Sequence, residues 1–155
     1  MEIRIPGCKN YKIENLVFDL NGTIACDGKL IEGVEEGINK LASDFKIFVL
    51  TADTNGNAEK ILKNLKAELI IVDKKDGSKF KTDFVEDIGR KSVIAVGNGN
   101  NDAQMLKNAE IGIAVLGPEG TAREAMLGSS LIVRDILDVI DIISKPQRLK
   151  ATLRK

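Results

Sequence analysis

Histidine is missing altogether from this chain of 155 residues. Its absence excludes imidazole metal ligands, Ser–His–Asp triads and histidine acid–base catalysis. Tryptophan is missing too and aromatics make up only 4% of the chain, so a core has to be built from Ile, Leu, Val and Ala. The two cysteines, Cys8 and Cys26, have no metal-ligand spacing and make no disulfide framework, which points to a reducing cytoplasm. No charge of one sign dominates: 23 Lys and Arg face 23 Asp and Glu, giving no global signal for nucleic acid or a membrane surface. The apolar runs are too short to span a bilayer, and MEIRIPGCKN lacks the apolar stretch of a signal peptide. There is no internal repeat, low-complexity segment or obvious linker. The length suits one domain with a single core, so 1–155 is read as one unit. Any chemistry falls to Asp, Glu, Lys, Thr, Ser, Cys or a bound ion.

What the chain does have is alternation. Short apolar runs occur at Leu16–Leu20, Lys46–Leu50, Leu69–Val72, Ser92–Val96, Ile111–Val115 and Leu131–Val133. They are nearly continuous in Ile, Val, Leu and Phe, as expected of strands covered on both faces. Helical periodicity lies between them: Val34, Ile38 and Leu41; Ile61, Leu62 and Leu65; Phe84, Val85 and Ile88; and Met105, Leu106 and Ala109 in a helix opened by Asp102. Glu119–Leu127 and Asp135–Ile143 supply two more helices, with Asp135 as an N-cap. Strand–helix alternation predicts an α/β fold, a mainly parallel sheet of six strands flanked by helices. Residues 1–14, with Pro6-Gly7 between Ile5 and Tyr11, read as an antiparallel hairpin at one edge. Residues 146–155, with Arg148, Lys150, Arg154 and Lys155 and no acid, read as an exposed basic tail.

Polar residues gather at the carboxyl ends of the predicted strands, where open α/β sheets bind ligands. The first strand ends in Asp19-Leu20-Asn21-Gly22-Thr23, the second in Thr51-Ala52-Asp53, and the fourth in Gly97-Asn98-Gly99-Asn100-Asn101-Asp102. Lys79 and Lys81 stand at the start of the helix before the fourth strand. An ionised carboxylate in an apolar run such as LVFDL is costly without a partner. Two carboxylates, a threonine hydroxyl and a lysine brought to one rim suit a phosphoryl group held with a divalent metal. Each piece has a plainer reading. LVFDL-NG-TIAC also fits a hairpin with an Asn-Gly turn, Lys79 and Lys81 also fit solvated charges, and GNGNND also fits a turn capped by Asp102. GNGNND is not a dinucleotide fingerprint, because Asp102 stands where the third glycine belongs.

In this order the segments resemble the haloacid dehalogenase (HAD) superfamily of phosphotransferases. Within it, the chain looks like soluble relatives of the P-type ATPase phosphorylation domain. The family's D-x-D-x-T motif lies on Asp19-Leu20-Asn21-Gly22-Thr23, its strand-ending Thr on Thr51, and its G-D-G-x-N-D on Gly97–Asp102. Its lysine lies on Lys81, with Lys79 as the alternative. The resemblance implies a three-layer Rossmann-like fold with Asp19 phosphorylated, and Asp19, Asn21, Thr51 and Lys81 as the catalytic set. It also implies substrate contacts from Thr51, Ala52, Gly22 and Lys79, and Mg²⁺ held by Asp19, the Asn21 carbonyl, Asn98 and Asp102. Two positions depart from the pattern. Asn21 replaces the Asp that serves the leaving group and water as acid and base, a contribution of about 10²–10⁴ in rate. Asn98 replaces a metal-binding Asp. The expectation is a cytoplasmic Mg²⁺-dependent phosphatase or phosphotransferase, slow on unactivated esters. The alternative is a catalytically weak HAD-like module that binds phosphate or a partner. A receiver-like switch fits less well, because it lacks the N-terminal acidic pair. Neither interval between motifs has room for a cap domain, and Ile24–Ile31, turning at Asp27-Gly28, is at most a flap. The implied partner is a phosphorylated small molecule or phosphoprotein, with no nucleic acid and no membrane. A homo-oligomer could cover the site, by analogy with small capless relatives.

Overall fold

The computed structural model describes residues 1–5, 7, 9–53, 56–72 and 76–154. The elements run β1 (Glu2–Arg4), β2 (Asn10–Lys12), β3 (Asn15–Asp19), β4 (Ala25–Cys26), β5 (Lys29–Leu30), α1 (Val34–Leu41), β6 (Lys46–Thr51), α2 (Ala58–Ile61), β7 (Glu68–Ile71), α3 (Gly77–Asp87), β8 (Val93–Gly97), α4 (Ala103–Asn108), β9 (Ile111–Val115), α5 (Arg123–Gly128), β10 (Leu131–Val133), α6 (Ile136–Ser144) and α7 (Pro146–Leu153). Six strands form one parallel sheet in the order β10-β9-β8-β3-β6-β7. This is the predicted α/β architecture.

The order of connection places the site. From β3 the chain runs outward through β6 to β7, then crosses back to β8 on the other side of β3 and on to β9 and β10. The direction reverses between β3 and β8, and ligands bind beyond the carboxyl ends of the strands at such a reversal. Asp19 closes β3, and Asn98–Asp102 follows β8.

The two faces of the sheet are covered by different layers. Leu16 and Phe18 of β3, with Ile94 and Val96 of β8, pack against Val34, Ile38, Val139 and Ile143 of α1 and α6. Val17, Val93 and Ala95 pack against Val85, Met105 and Leu106 of α3 and α4. Side chains alternate along a strand, so Asp19 shares the α3 face with Val17. Burial of each such Leu, Ile or Phe contributes about 1.5–3 kcal/mol. A cavity of about 650 Å³ opens at the amino-terminal rim beside Asn15, Phe45, Phe48 and Ile88, and no residue near Asp19 lines it.

Most predicted elements appear within a residue or two of their expected bounds. Asp135 caps α6, its Oδ1 accepting from Asp138 N at 2.9 Å. The N-terminal hairpin pairs Glu2 with Lys12 and Arg4 with Asn10, while Pro6 and Cys8 lie outside the described residues. It is a separate two-stranded sheet, and its Ile3 is buried in the core. Three segments differ from expectation. The helix predicted from Glu119 starts at Arg123, because residues 117–120 form a turn closed by Gly120 N donating to Gly117 O at 3.0 Å, with Gly120 at φ +81°. α2 ends at Ile61, and a turn then carries Leu62 and Leu65 into the core. The expected basic tail is instead helix α7, with Pro146 in its first turn and Leu149 fully buried. Periodicity was hidden there because only one side chain per two turns is buried. Arg148 and Arg154 point outward, and Lys155 lies outside the described residues.

Candidate active site

Three segments distant in sequence meet at one ammonium group. Lys81 Nζ donates to Asp19 Oδ1 at 2.5 Å and to Asp102 Oδ1 at 2.7 Å. Lys81 is 1% exposed, Asp19 7% and Asp102 fully buried. Lys81 and Val85 lie one turn apart on the buried side of α3, which brings the lysine to the face that Asp19 shares with Val17. Asp102 reaches the same point because residue 97 is glycine. A Cβ there would sit 2.6 Å from the Asp102 carboxyl carbon. Asp102 Oδ2 also accepts from Asn98 N at 3.1 Å and Gly99 N at 2.8 Å, which pins the loop to the helix it enters.

Two carboxylates share one cation in a dry place. Burial first, and then the charge of Asp102, push the Asp19 carboxyl up to about 7, although the Lys81 ammonium and the Thr23 hydroxyl pull the other way. Burial works to lower the Lys81 pKa, but the charges of Asp19 and Asp102 outweigh it and the net shift is upward. Lys81 therefore stays an ammonium, and without a bound cation the Asp19 carboxyl takes up a proton near neutrality.

Thr23, not singled out among the candidate site residues, ties the site together. Its hydroxyl lies 3.0 Å from Asn98 Oδ1 and 3.3 Å from Asp19 Oδ2. Thr23 is fully buried. The threonine that closes the D-x-D-x-T pattern, four residues after the carboxylate, was the available signal. Asn98 Nδ2 donates to Gly120 O at 3.0 Å. Gly22 stands at φ +80°, and a Cβ there would lie 2.4 Å from Asn98 Nδ2. Its N–H donates to Ala25 O at 2.7 Å, so Gly22 contributes space and a turn rather than a free donor. Asn21 is exposed at the mouth.

Thr51 is 2% exposed at the end of β6, one residue beyond Leu50, the register partner of Asp19. Its hydroxyl accepts from Asp53 N at 3.1 Å, and half-buried Ala52 lies between the two. Asp53, at φ +41°, accepts from Asn57 N and Ala58 N at 3.0 Å each and so starts α2. Lys79, expected to contact substrate, is not part of this group: it lies on the exposed side of α3, paired with Asp83 at 2.8 Å. β4 and β5 pair through the Asp27-Gly28 turn, with both residues at positive φ, so the predicted flap is a two-stranded hairpin beside the mouth. Apart from it, only α1 separates Asp19 from β6, and the described residues form no cap.

The oxygen donors fit a hard divalent cation. Carboxylates of Asp19 and Asp102, the Asn98 amide oxygen and a backbone carbonyl match the preference of Mg²⁺, and two carboxyl groups facing one ammonium favour a cation in place of the Asp19 proton. Among the described residues no group of three or more His, Cys, Asp or Glu could hold a metal ion, so the site offers two carboxyl groups and neutral oxygens. No described helix is long and apolar enough to cross a membrane.

Comparisons with known proteins bear on the family and the fold. A sequence profile for haloacid dehalogenase-like hydrolases matches residues 73–123. An uncharacterized protein of Methanocaldococcus jannaschii is 50% identical over 64 residues, 41% of this chain and 69% of that protein. A probable copper-exporting P-type ATPase of Archaeoglobus fulgidus is 30% identical over 138 residues, 88% of this chain but 16% of the ATPase. The chain thus spans a small part of that relative's length. The 3-deoxy-D-manno-octulosonate 8-phosphate phosphatase of Moraxella catarrhalis, solved with magnesium, phosphate and KDO, superposes with a TM-score of 0.66 at 19% identity. The match covers 86% of each chain and is a likeness of fold.

Proposed function

Because this chain belongs to the haloacid dehalogenase superfamily and carries its α/β fold without a cap, we propose that it is a Mg²⁺-dependent phosphatase or phosphotransferase acting through Asp19. What supports the reading is one arrangement: the Lys81 ammonium held between the Asp19 and Asp102 carboxylates at the reversal point of the sheet. Asp19 attacks phosphorus, the bond to the leaving oxygen breaks, and an aspartyl-phosphate forms. Water then attacks phosphorus and releases inorganic phosphate. Lys81 and the Thr51 hydroxyl hold the phosphoryl oxygens, and the Thr23 hydroxyl, whose one proton goes to Asn98 Oδ1 at 3.0 Å or to Asp19 Oδ2 at 3.3 Å, packs beside the nucleophile. Asp19, Asp102, Asn98 and the Asn21 carbonyl would hold Mg²⁺, which when bound offsets phosphoryl charge.

The amide of Asn21 has no proton to give the leaving group and cannot take one from water. Transfer from an acyl phosphate, whose leaving group is already a weak base, needs no such help. The substrate class is therefore a phosphorylated small molecule or phosphoprotein with a good leaving group, and the capless mouth admits either. The exposed amide at position 21 also favours a second reading, a slow or stalled phosphoenzyme that serves as a binding module. Incubation with acetyl phosphate or p-nitrophenyl phosphate and MgCl₂ tests the proposal. Turnover that disappears in Asp19→Ala is expected. A beryllofluoride adduct without turnover supports the second reading, and neither signal at high protein concentration overturns both.

A further inference from the structure

Asn98 is more than a metal-binding acid with its charge removed. All of its polar groups are engaged: Nδ2 donates to Gly120 O at 3.0 Å, Oδ1 accepts from the Thr23 hydroxyl at 3.0 Å, its N–H donates to Asp102 Oδ2 at 3.1 Å, and its carbonyl accepts from Ala122 N at 2.8 Å. The orientation of the amide is dictated by chemistry, because the Gly120 carbonyl can only accept and so must face the NH₂ group. The segment that Asn98 grips is the turn of residues 117–120. That turn lies against the loop carrying Asn21 and Gly22, close enough that a Cβ on Gly117 would sit 2.7 Å from Gly22 O. Glu119 of the same turn bears on Cys26 of the flap.

We propose that Asn98 is a positioning residue whose amide NH₂ clamps the 117–120 turn against the Gly22 loop, while its amide oxygen faces the site. The clamp needs a donor toward Gly120 and an acceptor on the opposite side, and an amide carries both. An aspartate of the same shape carries two acceptors, so its carboxylate would meet the Gly120 carbonyl lone pair to lone pair at hydrogen-bond distance. Asparagine at this position exchanges a full charge on the ion for a fixed wall beside Asp19. The clamp itself stands on protein contacts alone; only its link to Mg²⁺ rests on the function proposed above.

The experiment compares wild type, Asn98→Asp and Asn98→Ala as full chains, by NMR amide exchange and by calorimetric titration with MgCl₂. In the metal-free proteins, Gly120 and Ala122 amides should exchange about five- to tenfold faster in both variants, the scale of one lost hydrogen bond. The Ile94 and Val96 amides in the sheet should stay within about twofold, which separates loosening of the turn from general unfolding. The Mg²⁺ affinities should move in opposite directions, tighter in Asn98→Asp and weaker in Asn98→Ala. A merely structural change would weaken both. Should Asn98→Asp fail to fold, the exchange comparison rests on Asn98→Ala. Turn protection in Asn98→Asp equal to wild type, or turn protection that follows Mg²⁺ affinity rather than the presence of the donor, overturns the clamp. If no form binds Mg²⁺ but the exchange pattern holds, the clamp stands and the metal-dependent function falls.

Discussion

At the scale of single residues, the unusual feature is a carboxylate kept where it is uncomfortable. Asp19 titrates in the ordinary carboxylate range when unfolded and at about 7 when folded and metal-free, because burial and then Asp102 oppose its charge. Below the unfolded value both states hold the proton and the group makes no difference. Between the two values the folded chain holds a proton that the unfolded chain has released, so stability falls as pH rises, and above 7 the full cost is present. Asp19→Asn removes this titration. Without metal, the variant should gain stability over wild type between pH 5 and pH 8, on the order of 1 kcal/mol per unit of displaced pKa. Urea midpoints across that range measure it, and a constant difference would contradict it. The companion position is Asn21. Asn21→Asp returns an acid–base group to the mouth and should raise hydrolysis of p-nitrophenyl phosphate toward the factor of about 10²–10⁴ typical of such groups. Steady-state kinetics show the change, and an unchanged rate removes the role given to position 21.

At the scale of elements, helix α4 is what carries Asp102 inward, and glycines allow it to come close. A Cβ on Gly112 of β9 would sit 2.2 Å from the carbonyl oxygen of Leu106, and one on Gly128 of α5 would sit 2.4 Å from that of Ala103. Both contacts are to backbone, which cannot swing away as a side chain can. Gly112→Ala should therefore destabilise the protein by about 1–3 kcal/mol, as overpacked interiors do. Equilibrium urea unfolding gives the figure. Near-neutral behaviour would mean that α4 slides freely on the sheet. At this scale the sequence spoke unevenly. β3, β6, β8 and β9 were plain as dense apolar runs because both of their faces are covered. α7 looked like a tail because only one side of it touches the core, through Leu149. The helix predicted over Glu119–Leu127 begins four residues late, at Arg123, because nothing local shows that the Asn98 amide holds Gly120 in a turn.

At the scale of the whole molecule, folding and metal binding should be linked. The oxygen donors come from β3 and from the loop after β8, so they converge only in the folded chain, and a cation bound there stabilises that state. Adding MgCl₂ at 100 times its Kd should stabilise wild type by about 2.7 kcal/mol. Thermal melts with and without EDTA test this, and Asp19→Asn should lose most of the gain. A Tm indifferent to Mg²⁺ would exclude a resident ion at this site. By itself the sequence determined the strand–helix alternation, the residue types available for chemistry and the loops that bear them, because burial pattern and turn chemistry are local properties. Only the tertiary structure told Lys81 from Lys79, placing one between Asp19 and Asp102 and the other outward beside Asp83, since two lysines in one helical turn look alike until the sheet shows which face is inward. It also brought Thr23 and the Gly120 carbonyl to Asn98, across 75 and 22 residues. Contacts of that reach depend on strand order and on where glycine permits close approach, and neither is written in any short stretch of chain.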